Sequence, residues 1–163
     1  MLKRIIESSQ RMMESMSDIV WAIHSKNDSL SGMTDRMTDF AGERLMGLGI
    51  EFGLEKDALV DQLHLTMRAR RNLLMLFKEG INNAAKYSQS NRIRCSIAAS
   101  TDAVTMILAD DGVGFNTDDV KSGNGLASMK KRAEELKGKF SVNSIPDSGA
   151  RLTFILPIVQ LIN

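Results

Sequence analysis

The sequence predicts an α+β fold, a two-layer α/β sandwich built on a mixed, mostly antiparallel sheet. Two pairs of strand-like runs carry this reading. Residues 92–99 and 103–109 are joined across Ser100, Thr101 and Asp102, and residues 139–145 and 151–158 across Pro146, Asp147, Ser148 and Gly149. Such short, turn-rich connections make hairpins and leave no room for a parallel crossover. Stretches of helical periodicity lie before and between the pairs, so helices have a sheet to cover. At 163 residues, 43% hydrophobic and 25% charged, the chain has the size and composition of an ordinary globular protein with a real core.

Charge and cysteine use exclude several function classes. Lys+Arg 21 against Asp+Glu 20 gives a net charge of +1, so no global field favours nucleic acid or an anionic membrane. The basic run Lys130, Lys131 and Arg132 is short and reads as a solvated helix face. Cys95 is the sole cysteine, which rules out a disulfide within the chain and a cysteine metal site. No apolar run approaches the roughly 20 residues a membrane helix needs, and no signal-peptide pattern opens the chain. The expectation is a reducing, cytoplasmic setting, with membrane anchorage possible only through a longer protein.

The first element is a helix. Leu2, Ile5, Ser9, Met12, Met16, Ile19 and Ile23 recur in steps of three and four, a heptad seam that Ile6, Met13 and Val20 widen. The wide stripe suits a helical bundle with partners on two sides, including homodimerisation through residues 1–23. A helix folded back on its own domain accounts for the same pattern, with Trp21 as anchor in either case. Residues 25–29 break this helix and supply N-caps for the next, over residues 30–45, which Gly47 and Gly49 end. Residues 50–54 read as a short strand. The expected division is 1–25 as helix and junction, and 26–163 as the main domain.

Residues 66–87 read as a long helix. At about 100° per residue, Asn72, Glu79, Asn83 and Lys86 share one narrow stripe, opposite Leu73, Leu74, Phe77, Ile81, Ala84 and Ala85. A plain amphipathic helix with a solvated Glu–Lys face explains this too. Yet asparagine is a poor helix former, and Asn83 sits deep in the pattern. Mg²⁺ takes oxygen ligands, often only one or two of them from protein. An Asn83 carbonyl fits that role, Glu79 one turn earlier can orient water or accept a proton, and Lys86 can neutralise a phosphate.

Two glycine-rich segments follow. Asp110, Asp111, Gly112, Val113 and Gly114 close a strand. Glycines two apart admit close backbone approach, and Asp110 can accept a hydrogen bond from an exocyclic amine such as that of adenine. Gly123, Asn124, Gly125 and Leu126 open a helix over residues 126–136, with Gly138 as its expected C-terminal cap. A glycine-bearing helix N-terminus attracts phosphate. Between the segments, residues 116–122 form a polar stretch expected to act as a lid. Each segment alone also fits an ordinary turn or cap.

In order and spacing, these segments resemble the motifs of the GHKL, or Bergerat-fold, ATPases. Residues 77–88 resemble the N box, 110–114 the DxGxG box and 123–126 the second glycine box. The wording of 125–138, and of 16–23 with 26–28, is closest to sensor histidine kinases of the nitrate-sensor-like class. The resemblance spans essentially the whole chain and implies a sheet covered by helices on one face. It implies Mg-ATP as the bound species, with Asn83 on Mg²⁺ and Glu79 as metal assistant or base. Asn82, Lys86 and Tyr87 then lie beside the nucleotide, and Asp110 reads adenine. The backbone around Gly112, Gly114, Gly123, Gly125 and Leu126 approaches the ligand. It also implies two partners: a response regulator, and a phosphate-accepting histidine on a helix upstream of the one ending near Ile23, outside this sequence.

Two departures from the family pattern stand out. Ala150 follows Gly149 where members commonly carry Thr, so a side-chain hydrogen bond towards adenine is lost. Of the chain's two histidines, His24 has no acidic residue immediately after it and His64 sits in a polar stretch before the long helix, so neither is expected to be the acceptor. The expected function is ATP-dependent phosphorylation of a histidine elsewhere, in two-component signal transduction. A free-standing Bergerat ATPase or serine kinase is one alternative, although it needs no bundle helix. A non-catalytic nucleotide-binding interaction module is the other.

Overall fold

The computed structural model describes residues 2–24, 29–117 and 124–162. Residues 25–28 of the expected break at 25–29, most of the lid stretch 116–122 and Gly123 lie outside them. Helix α1 spans Leu2–Ile23, and α2 spans Leu30–Leu45, with the Ser29 side chain accepting the N–H of Gly32 at 3.1 Å as its cap. Strand β1 (Glu51–Lys56), helix α3 (Met67–Asn83), β2 (Arg92–Ala99), β3 (Ala103–Asp110), α4 (Asn124–Glu135), β4 (Lys139–Ser144) and β5 (Ala150–Pro157) follow.

The strands lie in the order β1-β2-β3-β5-β4. The β1–β2 pair is parallel, because α3 supplies the crossover between them, and the other pairs are antiparallel. Alternation decides which side is covered. Ile93, Cys95 and Ile97 of β2, with Val104, Met106 and Leu108 of β3, are buried against the helices, while Arg92, Arg94 and Ser96 remain exposed. The mixed two-layer α+β sandwich is the expected one.

Helix α3 is the central helix of the covering layer. Phe77 is fully buried between Phe40 and Phe52, edge-on to both at centroid separations of 6.5 and 5.9 Å. Burial of a side chain of this size contributes on the order of 2–3 kcal/mol. The alternative of a solvated polar face does not hold for its N-terminal part. Asn72 is buried, and its carbonyl accepts from Arg132 of α4 at 3.4 Å. Its stripe is polar because it faces the neighbouring helix α4.

Two expectations are corrected at helix ends. Helix α3 stops at Asn83 and continues as a π-helical turn over Ala84–Ser88, so counting 100° per residue fails before Lys86. The left-handed residue after α4 is Lys137 (φ 54°), in place of Gly138. A Cβ on Gly138 would lie 2.5 Å from Leu156 Cδ2 and 2.7 Å from the Ile155 carbonyl. Glycine there permits close approach to β5.

The C-terminal part of helix α1 folds back on the domain, one of the two readings of its seam. Asp18 and Ala22 are buried against the domain, and Trp21 packs on the core. Leu2, Ile5, Ile6, Met12, Met13 and Met16 are exposed, which leaves an apolar face uncovered. Among the described residues, no helix is long and apolar enough to cross a membrane.

Candidate functional site

Helix α3 delivers Glu79 and Asn83, and α4 delivers Gly125 against them. A Cβ on Gly125 would stand 2.5 Å from Glu79 Oε1 and 3.1 Å from Asn83 Nδ2. That spacing forbids a side chain at position 125 unless the carboxylate moves. The start of α4 therefore meets one acidic and one amide side chain set one turn apart. Leu126 beside it packs against the core and fixes the depth of the helix start.

The glycine loop after β3 is clamped from two sides. On one side, the Val113 N–H donates to the Ser88 carbonyl at 2.7 Å, and Gly112 lies so close to that carbonyl that a Cβ would overlap it. Ser88 closes the π turn, its hydroxyl donating to the Ala84 carbonyl at 2.6 Å. On the other side, the Asp147 N–H donates to the Val113 carbonyl at 2.7 Å, and the Phe115 N–H to Ser144 Oγ at 2.9 Å. Gly114 holds φ 57° over the β4–β5 turn, where a Cβ would overlap the Ile145 carbonyl.

Asp110 is half-buried at the end of β3. Its Oδ1 accepts the N–H of Gly112 at 3.0 Å, and the carboxylate also accepts the N–H of Ala150, its cross-strand partner. Burial nonetheless raises its pKa above the ordinary 3.8, with Asp111 adding repulsion while the two backbone hydrogen bonds oppose the shift. The loss of a threonine hydroxyl at Ala150 thus leaves a backbone contact to Asp110 in place.

The other residues expected at the site fall differently. Asn82 turns its carbonyl to Arg44 of α2, which donates Nε at 2.7 Å. Lys86 and Tyr87 are exposed on the π turn, the ammonium 4.8 Å from the ring centroid. Gly123 lies outside the described residues. Ser88 and Ser144 carry the clamps and were assigned no role by sequence reasoning. Their positions follow from pairings across the fold, and no local pattern marks them.

Residues 69–160 match the model of the histidine kinase-, DNA gyrase B- and HSP90-like ATPase family. The chain belongs to that family. The sensor protein VraS of Staphylococcus saprophyticus is 24% identical over 96% of this chain and 44% of its own length. VraS of Staphylococcus aureus is 30% identical over 53% of this chain and 25% of its own. The chain thus spans less than half the length of these relatives. Among solved structures, the histidine kinase domain of the blue-light activated kinase of Erythrobacter litoralis superposes with a TM-score of 0.72 at 15% identity, covering 95% of this chain and 82% of that one. The Acinetobacter baumannii histidine kinase AdeS gives 0.71 at 17%, covering 96% and 82%. The fold is that of histidine kinase catalytic domains, and the chain carries a GHKL ATPase domain.

The residues present suit a magnesium nucleotide. Among the described residues there is no cluster of three or more carboxylate, histidine or cysteine side chains that would hold a metal alone. An Asn83 carbonyl with Glu79 beside it matches an ion that takes most of its ligands from phosphate and water.

Proposed function

We propose that this domain binds Mg-ATP and donates the γ-phosphoryl group to a histidine on a dimerisation helix outside the sequence, for relay to a response regulator. The contact of Gly125 with Glu79 and Asn83 carries the reading, because it joins a phosphate-attracting helix start to a carboxylate and an amide. In this reading residues 26–163 are the catalytic domain, and residues 1–25 continue into the dimerisation helix.

The adenine amino group donates to Asp110, the backbone around Gly112 and Gly114 lies along the base, and the backbone of Gly123, Gly125 and Leu126 receives the phosphates. Asn83 would hold Mg²⁺, which when bound neutralises phosphate charge as it shifts to the leaving oxygen. Lys86 and Tyr87, on the exposed π turn, close over the nucleotide from the side, and Asn82 supports α3 through Arg44. The accepting imidazole nitrogen bonds to phosphorus, the bond from phosphorus to the ADP oxygen breaks, and Glu79 takes the imidazole proton.

Titration with a fluorescent ATP analogue tests the first half of the reading. Magnesium-dependent binding in the wild type, weakened at least about tenfold (~1.4 kcal/mol) by Asn83→Ala, is expected. Incubation with γ-labelled ATP tests the second half: this chain alone acquires no acid-labile phosphate, and label on His24 or His64 would overturn the external acceptor.

A further inference from the structure

The net charge of +1 conceals two exposed patches of opposite sign. One is an open groove where the first half of α3, the second half of α4 and the end of α1 meet. Arg68 and Arg71 line it from α3 and Lys131 and Arg132 from α4, and Glu135 is the sole acid among the described residues on its walls. Arg71 and Lys131 are exposed and make no ion pair among the described residues. Arg68 donates to the backbone carbonyl of Glu135, and Arg132 to the Asn72 carbonyl, so no carboxylate neutralises either charge. Ile23 and Met67, 59% and 54% exposed, add an apolar rim.

The other patch is a ridge on α2. Asp35, Asp39 and Glu43 recur every four residues and are exposed, on the face opposite Met33, Met37, Ala41 and Leu45 of the core. The two arginines of α2 do not answer them, since Arg36 turns to Asp18 and Arg44 to Asn82. The three carboxylates make no ion pair among the described residues. Just past the ridge, Met46 is 79% exposed.

The ridge points away from the core that α2, α3 and α4 share, so its carboxylates do not reach the groove of their own chain. The two patches match in length. The carboxylates span about 12 Å along α2, and the cations sit on two packed helices, whose axes typically lie about 8–10 Å apart.

We propose that the groove of one chain takes the α2 ridge of a second copy, with the carboxylates on Arg68, Arg71, Lys131 and Arg132 and Met46 against the apolar rim. Because ridge and groove are different surfaces, the contact is heterologous. Each added copy leaves one ridge and one groove free, so copies join head to tail into a row or close into a ring. This contact is separate from any pairing through the apolar face of α1, and it does not draw on the nucleotide reading.

Sedimentation velocity of the full chain in about 50 and about 500 mM sodium chloride tests the proposal, because salt screens exposed ion pairs and leaves apolar contacts unscreened. At low salt the weight-average sedimentation coefficient is expected to keep rising with protein concentration. At high salt the same rise should need at least about tenfold more protein. Asp39→Lys and Arg71→Glu, both at exposed positions, should each lose the salt-sensitive rise when studied alone. Their equimolar mixture should regain it, because the intact ridge of the second variant meets the intact groove of the first. Glu43→Lys with Lys131→Glu repeats the exchange at independent exposed positions, which covers a variant that fails to fold. A wild type whose sedimentation ignores salt overturns the proposal, as does a mixture that sediments like its separate components. Salt-sensitive association that Arg71→Glu abolishes and Asp39→Lys leaves intact also overturns it, and gives the groove a different acidic occupant.

Discussion

The backbone N–H of Val113 donates to the carbonyl oxygen of Ser88 at 2.7 Å, tying the glycine loop after β3 to the π turn that follows α3. The two motifs that flank the candidate nucleotide site are therefore parts of one rigid assembly. Gly112 makes the approach possible, since a Cβ would overlap the Ser88 carbonyl, a backbone atom that cannot swing away. Gly112→Ala is expected to destabilise the domain by about 1–3 kcal/mol through overpacking. A lower urea midpoint at unchanged slope checks this, and a wild-type midpoint would mean that the loop and the turn are not coupled.

Gly125 makes the opposite kind of close approach. Its neighbours are Glu79 Oε1 and Asn83 Nδ2, the ends of side chains that can rotate. Gly125→Ala is expected to cost less than about 1 kcal/mol of stability, since surface-facing changes of this type rarely exceed it. It should weaken magnesium-nucleotide binding at least about tenfold by displacing both groups. Calorimetric titration beside a thermal melt separates the two effects. Equal losses in the two measurements would assign Gly125 a packing role.

Alternation made the sheet legible, and contacts across the fold hid the rest. Ile93, Cys95 and Ile97 point inward because period two leaves them no other face, so β2 could be bounded from sequence alone. The stripe through Asn72 was equally visible, but its meaning was not. Its partner Arg132 comes from 60 residues away, and solvent and a neighbouring helix favour the same polar residues. Asp18 is hidden for the same reason, since it lies off the heptad seam and its partner Lys78 is 60 residues on. The spacing of Glu79 and Asn83 could be counted, whereas the π turn displaced the count for Lys86. Glycines were legible as special positions, but their causes differed. Gly138 admits β5, and Lys137 takes the left-handed conformation.

In the proposed reading Asp110 makes nucleotide binding depend on pH. Burial raises its pKa above 3.8, so the folded state holds this proton more tightly than the unfolded chain. Its contribution to stability is full below the unfolded value and is lost as pH rises through the folded one. The ionised form is thus less stable in the apo protein, yet in the proposed reading it is the form that accepts the adenine amino hydrogen. Affinity for ATP should fall on acidification at a higher pH than an ordinary aspartate would give, while apo stability does not gain from ionisation of Asp110. Asp110→Asn, which cannot titrate, should bind adenine more weakly and flatten that dependence. Titrations from pH 7 down to about 4.5 in wild type and variant decide it; parallel curves would remove Asp110 from adenine reading.

Arg70 secures the C-terminal end of α1 independently of Asp18. It is 4% exposed, and its guanidinium donates to the carbonyls of Ala22, at 3.0 Å from Nε, and of Leu65, at 2.6 Å from Nη1. The last carbonyls of a helix lack partners within it, so a cation here satisfies one of them and complements the helix dipole. Arg70→Met keeps the length of the aliphatic stem and removes the donors. Loss of hydrogen bonds from a charged group amounts to about 1.5–3 kcal/mol, and the last turn of α1 should fray first. Amide hydrogen exchange is therefore expected to accelerate over residues 16–23 in Arg70→Met while protection in β2, β3 and β5 is retained. Uniform acceleration across the sheet would instead make Arg70 a core residue of the whole domain, with no special hold on α1.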